Sequence, residues 1–301
     1  MSKTTPTTIS SDPRYRERHE TFACDGPITA FLRTRSGDIQ VATTSGTEVV
    51  VRLRTSAGAA ATLLEDSEIA FDSKRGELRV TSARAREDGW PGGGISLGRL
   101  TRAAIFGGSL HDVDVLVELP ASSTVEASSR SGDVALQGLY GPVEAGSASG
   151  DVLVATAADT NISTASGDIR VEACTGTLTA RTASGDIAVE QLTTGATLKS
   201  ASGDVRVGSS APHVDVATAS GDVAITATSG GSVVLRSVSG DIAVAVRSGL
   251  EIDVTANSVS GRLHSAIPLD DDPSGGPAGE LVSLSLSTVS GDVNIRNERR
   301  V

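Results

Sequence analysis

One phrase returns through more than half of this chain. It reads Ser131-Gly132-Asp133, Ser149-Gly150-Asp151, Ser166-Gly167-Asp168, Ser184-Gly185-Asp186, Ser202-Gly203-Asp204, Ser220-Gly221-Asp222 and Ser239-Gly240-Asp241, then a degenerate Ser260-Gly261-Arg262, and last Ser290-Gly291-Asp292. Successive serines stand 18, 17, 18, 18, 18, 19, 21 and 30 residues apart. A period this constant requires each copy to occupy an equivalent place in a stack of repeats, which excludes a globular domain with one single-copy site.

Aligning the copies on the serine gives the architecture. Six residues before it stand Val125, Val143, Thr160, Leu178, Ala196, Val214, Val233, Val254 and Leu284. Four before stand small or branched apolar residues, among them Ile162, Leu198 and Leu235, and two before is always Ser or Thr. Three and five after, the chain is apolar again, as in Val134/Leu136 and Ile187/Val189. Alternation of period two puts these on one face of two short strands, with Glu126, Glu144, Arg181, Lys199, Arg206 and Arg236 facing water. The fold class is therefore all-β: a parallel β-solenoid of stacked two-strand coils with about 18 residues per coil. At about 4.8 Å per rung the array extends roughly 40 Å. Gly at each corner supplies freedom where a side chain would clash, Ser and Asp satisfy turn amides, and the inward Ser/Thr bonds its own copies in neighbouring coils.

Before the array the pattern is looser, and three regions are predicted: a flexible tail over 1–19, irregular solenoid coils over 20–120, and the regular repeats over 121–301 with an acidic loop at 268–280. The phrase appears once early, as Ser36-Gly37-Asp38, 95 residues before its next copy. Ala59–Asp66 has the composition of a short helix, and Ser73–Gly76 reads as a hairpin or a tight connection between coils. Residues 84–110 form an insertion with the single Trp of the chain; Trp90, Arg99, Arg102, Ile105 and Phe106 make it the candidate interaction loop.

Aromatic residues are 2% of the chain against 38% hydrophobic, so the core is a thin layer of Val, Ile, Leu and Ala. A net charge of -11 disfavours nucleic acid and anionic membranes. There is no apolar run of membrane-spanning length and no apolar leader after Met1, and with only Cys24 and Cys174 a disulfide framework is not expected; these readings place the protein in the cytoplasm. Cys174 shares the register of Leu139 and Leu192 and is expected to pack inward.

Catalytic constellations are missing: His19, His111, His213 and His264 are scattered, and no nucleophile elbow or phosphate loop exists. Polysaccharide-acting helices use aromatic platforms, for which one Trp and two Tyr do not suffice. The one candidate ligand chemistry is the column of Asp133, Asp151, Asp168, Asp186, Asp204, Asp222 and Asp241. Unit charges about 4.8 Å apart repel by about 1 kcal/mol in water, which bound calcium would relieve. The match to the calcium β-roll is poor, because Gly directly precedes Asp and the motif occurs once per coil.

The tandem Ser-Gly-Asp-[Ile/Val]-x-[Val/Ile/Leu] phrase, preceded by Val113-Asp-Val-Leu-Val-Glu-Leu-Pro-Ala121 and an opening Glu20-Thr-Phe with Gly26-Pro-Ile and Ser36-Gly37-Asp38, resembles the bacterial "putative adhesin" β-strand-repeat family, a domain of unknown function, in its Ala-rich actinobacterial form. The resemblance covers about residues 20–297 and implies a β-solenoid without enzymatic activity, in a setting of adhesion or cell-envelope stress. The expected function is a non-catalytic scaffold that binds a protein partner or itself, with calcium binding along the Asp column as the alternative.

Overall fold

The computed structural model describes residues 14–56, 59, 62–83, 85, 113–210, 212–228, 230–267 and 281–298. The chain divides into two compact units, residues 1–167 and 168–301.

The first unit opens with β1 (Tyr15–Ala23), β2 (Thr29–Arg33), β3 (Ile39–Thr44) and β4 (Glu48–Ser56). A one-turn helix, α1 (Thr62–Glu65), and the hairpin of β5 (Glu68–Asp72) and β6 (Glu77–Thr81) follow. After these come β7 (Asp114–Pro120), β8 (Thr124–Ser128), β9 (Val134–Leu139), β10 (Val143–Ser147), β11 (Val152–Ala157) and β12 (Thr160–Thr164). One sheet runs in the order β1-β4-β7-β3-β9-β11 and the other β12-β10-β8-β2-β6-β5. The early Ser36-Gly37-Asp38 corner is thus a true coil: β2 pairs in parallel with β8, and β3 with β9, across the 95-residue gap. On its other side lie β6 and β7, again parallel.

β6 and β7 thus make an irregular coil at this end, as expected, and beyond it the pairing turns antiparallel. β4 pairs with β7, β1 with β4 and β5 with β6, all antiparallel. Strand structure also begins at Tyr15, inside the stretch expected to be tail, because Tyr15–Ala23 zips along the whole of β4. Phe22 meets Phe71 with ring centroids 5.1 Å apart, and Leu64 of α1 is buried. Arg18, on β1, donates to Glu20 Oε1 at 2.9 Å and to the carbonyls of Leu64 and Ser67, satisfying helix-end acceptors.

The second unit is parallel throughout. Its strands are β13 (Ile169–Cys174), β14 (Thr177–Thr182), β15 (Ile187–Leu192), β16 (Gly195–Ser202), β17 (Val205–Ser210), β18 (His213–Ser220) and β19 (Val223–Thr228). They continue with β20 (Gly231–Ser239), β21 (Ile242–Val246), β22 (Glu251–Ser258), β23 (Leu263–Ser265), β24 (Leu281–Thr288) and β25 (Val293–Asn297). One sheet reads β13-β15-β17-β19-β21-β25-β23 and the other β14-β16-β18-β20-β24-β22. Coils stack in chain order up to β20–β21. The last-made coil, β24–β25, then enters between β20–β21 and β22–β23, so the degenerate Ser260-Gly261-Arg262 corner is the terminal rung and not an interior one.

In both units the predicted inward positions form the core. Ala180, Leu198, Val216, Leu235 and Leu286 are in register on successive strands and all buried. Cys174 is buried opposite Leu192 as expected. At the equivalent place in β9 the register slips: Gly138 takes φ 116°, Leu139 turns outward, and Tyr140 fills the core with its hydroxyl on the carbonyl of Val41 at 2.7 Å.

Candidate functional site

The repeated corner is the feature most able to carry chemistry, and the structure shows what each of its side chains does. The Asp carboxylate reaches the next coil. Asp133 N–H donates to Asp38 Oδ1 at 2.9 Å and Asp151 N–H to Asp133 Oδ1 at 2.9 Å. In the second unit the amides of Asp186, Asp204, Asp222, Asp241 and Asp292 donate to Oδ1 of Asp168, Asp186, Asp204, Asp222 and Asp241 at 2.8–3.0 Å. The backbone returns the contact: Val205 N–H donates to Asp222 O and Val223 N–H to Asp241 O, each at 2.9 Å. Each of these acceptor carboxylates is thus a clip between successive coils, which explains why Asp and no longer acid recurs.

One member escapes the sequence pattern. Asp114 heads the column, accepting from Asp38 N–H at 3.2 Å while Arg54 pairs with its other oxygen at 3.2 Å. No Ser-Gly precedes it, but Asp114-Val115-x-Val117 repeats the spacing of Asp38-Ile39-x-Val41, the signal that would have found it. At the far end of the second unit's column Asp292 accepts from Arg262 N–H at 2.8 Å. Arg262 occupies the position of an Asp in a coil on which no further coil stacks among the described residues.

The glycines and hydroxyls complete the corner. A Cβ on Gly132, Gly150, Gly203, Gly221, Gly240 or Gly291 would lie 2.1–2.2 Å from the carbonyl oxygen of the corner Gly in the adjacent coil. Glycine is needed here for the close approach of stacked backbones more than for turn freedom. The inward Ser/Thr does not bond its own copies. Ser147 Oγ accepts from Gly150 N–H at 2.9 Å and donates to Gly132 O, one coil back, at 3.0 Å; Ser200, Ser237 and Thr288 make the same backward contact at 3.2 Å. Ser147→Ala strands a buried amide and a buried carbonyl, and is expected to lower the unfolding free energy by about 1–3 kcal/mol in urea titration.

Burial, followed by the neighbouring Asp114 and Asp133 carboxylates, raises the Asp38 pKa above its ordinary value, against the lowering effects of the Asp133 amide and Arg54. A carboxyl whose folded pKa lies above its unfolded one binds its proton more tightly when folded, so its contribution to stability falls as pH rises past the unfolded value. Asp38→Asn keeps an oxygen acceptor and removes the charge. It is expected to raise Tm modestly at pH 7, with the gain vanishing near pH 3, where the wild-type carboxyl is already neutral.

Among the described residues no group of three or more His, Cys, Asp or Glu side chains is arranged to hold a metal ion. Arg170 and Arg206 sit on the Oδ2 atoms of Asp168 and Asp204 at 3.2 and 2.7 Å. On the outer face of the first unit a groove of about 120 Å³, lined by Gln40, Val50, Leu116, Gln137 and the Arg52–Glu118 pair, is well below the roughly 300–1,000 Å³ of small-molecule sites. The candidate interaction loop, Trp90, Arg99, Arg102, Ile105 and Phe106, and the acidic loop lie outside the described residues.

Exposed apolar side chains concentrate on the last coils of the second unit. Val238, Val289 and Val259, each directly before a corner serine, are 54%, 48% and 82% exposed. They stand on consecutive coils, since Ser290 N–H donates to Val238 O and Ser260 N–H to Val289 O. Leu263, which opens β23, and Leu281, at the opposite end of β24 from Val289, are 56% and 52% exposed. Sequence spacing could not predict this row, because its order depends on β24–β25 stacking out of turn. No helix among the described residues is long and apolar enough to cross a membrane.

Comparison with known proteins places these features. No curated protein matches the chain. Among solved structures it is similar to a "putative adhesin" from Bacteroides fragilis at 12% identity, with 93% of this chain and 97% of that chain covered and a TM-score of 0.45. It is also similar to a "putative adhesin" from Parabacteroides merdae (11% identity, 93% and 95% covered, TM-score 0.47) and to a "putative lipid binding protein" from Parabacteroides distasonis (12%, 93% and 96%, 0.41). The family model of the Toastrack DUF4097 domain matches twice, over residues 29–206 and 115–296, and each match spans corner copies in which Gly packs on Gly and Asp clips the next amide. The chain belongs to the Toastrack DUF4097 family.

Proposed function

We propose that the protein is a non-catalytic β-solenoid scaffold that works by presenting its surface to a protein partner, in a setting of adhesion or cell-envelope stress. The observation that carries this is the row Val238, Val289 and Val259, which puts branched apolar side chains into water on three consecutive coils. Contiguous exposed apolar surface marks an interaction site in a chain that otherwise buries its aliphatics. The repeated polar groups point the same way. The Asp carboxylates and Ser/Thr hydroxyls of the corners are engaged with the backbone of neighbouring coils, so they are not placed as nucleophiles or general bases. Family membership fits a solenoid whose role lies in contact and not in turnover. The setting rests on the resemblance carried by the repeat motif.

The test is a photocrosslinking amino acid at Val259 in the producing cells. A covalent adduct of defined mass, lost when Val289 is replaced by Lys, is the expected result. Absence of any adduct, together with turnover in a panel of glycan and ester substrates, overturns the proposal.

A further inference from the structure

The exposed row ends at the terminal coil of the second unit, and the β22 edge of that coil is unlike the β1 edge of the first unit. At the first unit's margin, β1 places the Arg18–Glu20 pair against α1, with Glu20 buried, a charged device that blocks pairing with another strand. At the second unit's margin, β22 reads Glu-Ile-Asp-Val-Thr-Ala-Asn-Ser, with no Lys, Arg, Pro or Gly. Its inward side chains Ile252, Val254 and Ala256 register with Val282, Leu284 and Leu286 of β24. The β24 residues are at most 1% exposed, whereas their β22 partners remain half-buried, because nothing among the described residues lies over them.

Two features decide what kind of strand can cover this edge. A further parallel coil would need its corner amide accepted by an Asp at the terminal rung, and that rung carries Arg262. Head-to-tail stacking into a filament therefore lacks the clip that joins the interior coils. An antiparallel strand does not use the clip.

We propose that a second copy of this chain pairs with β22 in antiparallel sense about a two-fold axis, with Val254 opposite the copy's Val254. This rests on the partner reading above and names the partner. Only registers that keep inward residues opposite inward residues bury both apolar faces. With Val254 on the axis, Ile252 faces the copy's Ala256, Asp253 faces Thr255 and Glu251 faces Asn257, so no like charges meet. A shift one way sets Asp253 against itself. A shift the other way opposes Ile252 to Ser258 and leaves Glu251 without a cross-strand neighbour. The two-fold contact is self-complementary and closes at a dimer.

Sedimentation velocity of the purified full chain over a hundredfold concentration range tests this. The expected result is a monomer–dimer equilibrium that Val254→Lys shifts at least tenfold toward monomer, with the far-ultraviolet spectrum unchanged. Should Val254→Lys unfold the chain, Val254→Cys in a Cys24→Ser background decides, since Cys174 is buried. Mild oxidation is expected to yield a disulfide-linked dimer at position 254. A monomer at every concentration overturns the inference alone, because photocrosslinking at Val259 reads any protein partner. A dimer that ignores Val254→Lys and does not cross-link at 254 overturns the assigned edge.

Discussion

Gly203→Ala is expected to lower the stability of the chain by about 3 kcal/mol or more, with a matching drop in the urea midpoint. The added Cβ would sit 2.1 Å from Gly185 O and 2.6 Å from its carbonyl carbon, a collision with backbone that no rotamer change relieves. Relief requires one coil to move away from the next. That movement lengthens the hydrogen bond from Asp204 N–H to Asp186 Oδ1, now 2.8 Å, and the one from Ser200 Oγ to Gly185 O, now 3.2 Å. The substitution therefore strikes three interactions that share one corner, and these are coupled and not additive. Gly46→Ala is the control: its nearest contact would be Thr44 Oγ1 at 3.6 Å, and its effect is expected to stay within about 0.5 kcal/mol. Equal effects at the two positions would remove the close-approach account of the repeated glycine.

Leu198→Ala is the second large effect, at about 2–5 kcal/mol, read as a Tm lower by roughly 10 °C. Leu198 is 0% exposed and registers with Ala180 on one side and Val216 on the other. With so few aromatic residues in the chain, its core relies on aliphatic volume, and a small neighbour such as Ala180 cannot expand into the space a lost isobutyl group leaves. Thr197→Ala, one residue away on the outer face, removes a similar number of atoms from a partly hydrated site and is expected to cost less than about 0.5 kcal/mol. In a stack where each coil touches only its neighbours, the loss at Leu198 weakens two interfaces at once.

Much of this fold is legible in the residues. Val/Ile/Leu at fixed offsets from each serine name the inward positions of β8 through β21, and the structure buries nearly all of them. Legibility fails where the loops lengthen. A linker of fifteen or more residues relaxes the rule that consecutive coils are neighbours, since loop closure costs little more for each doubling of length. That is how β24–β25 lands inside β22–β23, and how β2–β3 finds β8–β9. The corner chemistry was legible in kind and hidden in detail. Asp and Ser were visible as turn residues, but that Asp204 accepts from the following coil and Ser200 reaches the preceding one depends on which backbone lies alongside. Arg262 reads as a decayed motif in sequence and as the end of a ladder in space.

The out-of-order coils set a schedule for the nascent chain. Among the described strands β3 pairs only with β7 and β9, and 70 residues separate Thr44 from Asp114. A ribosome adding about 5–20 residues per second leaves that strand without a template for roughly 4–14 s. During those seconds Ile39 and Val41, both buried in the finished protein, have no sheet to join. The coils from β14 to β21 meet no such delay, because each emerges beside the one just completed. Synthesis of this protein therefore alternates a slow, exposed opening with rapid rung-by-rung growth, and demand for chaperone protection falls on its first hundred residues.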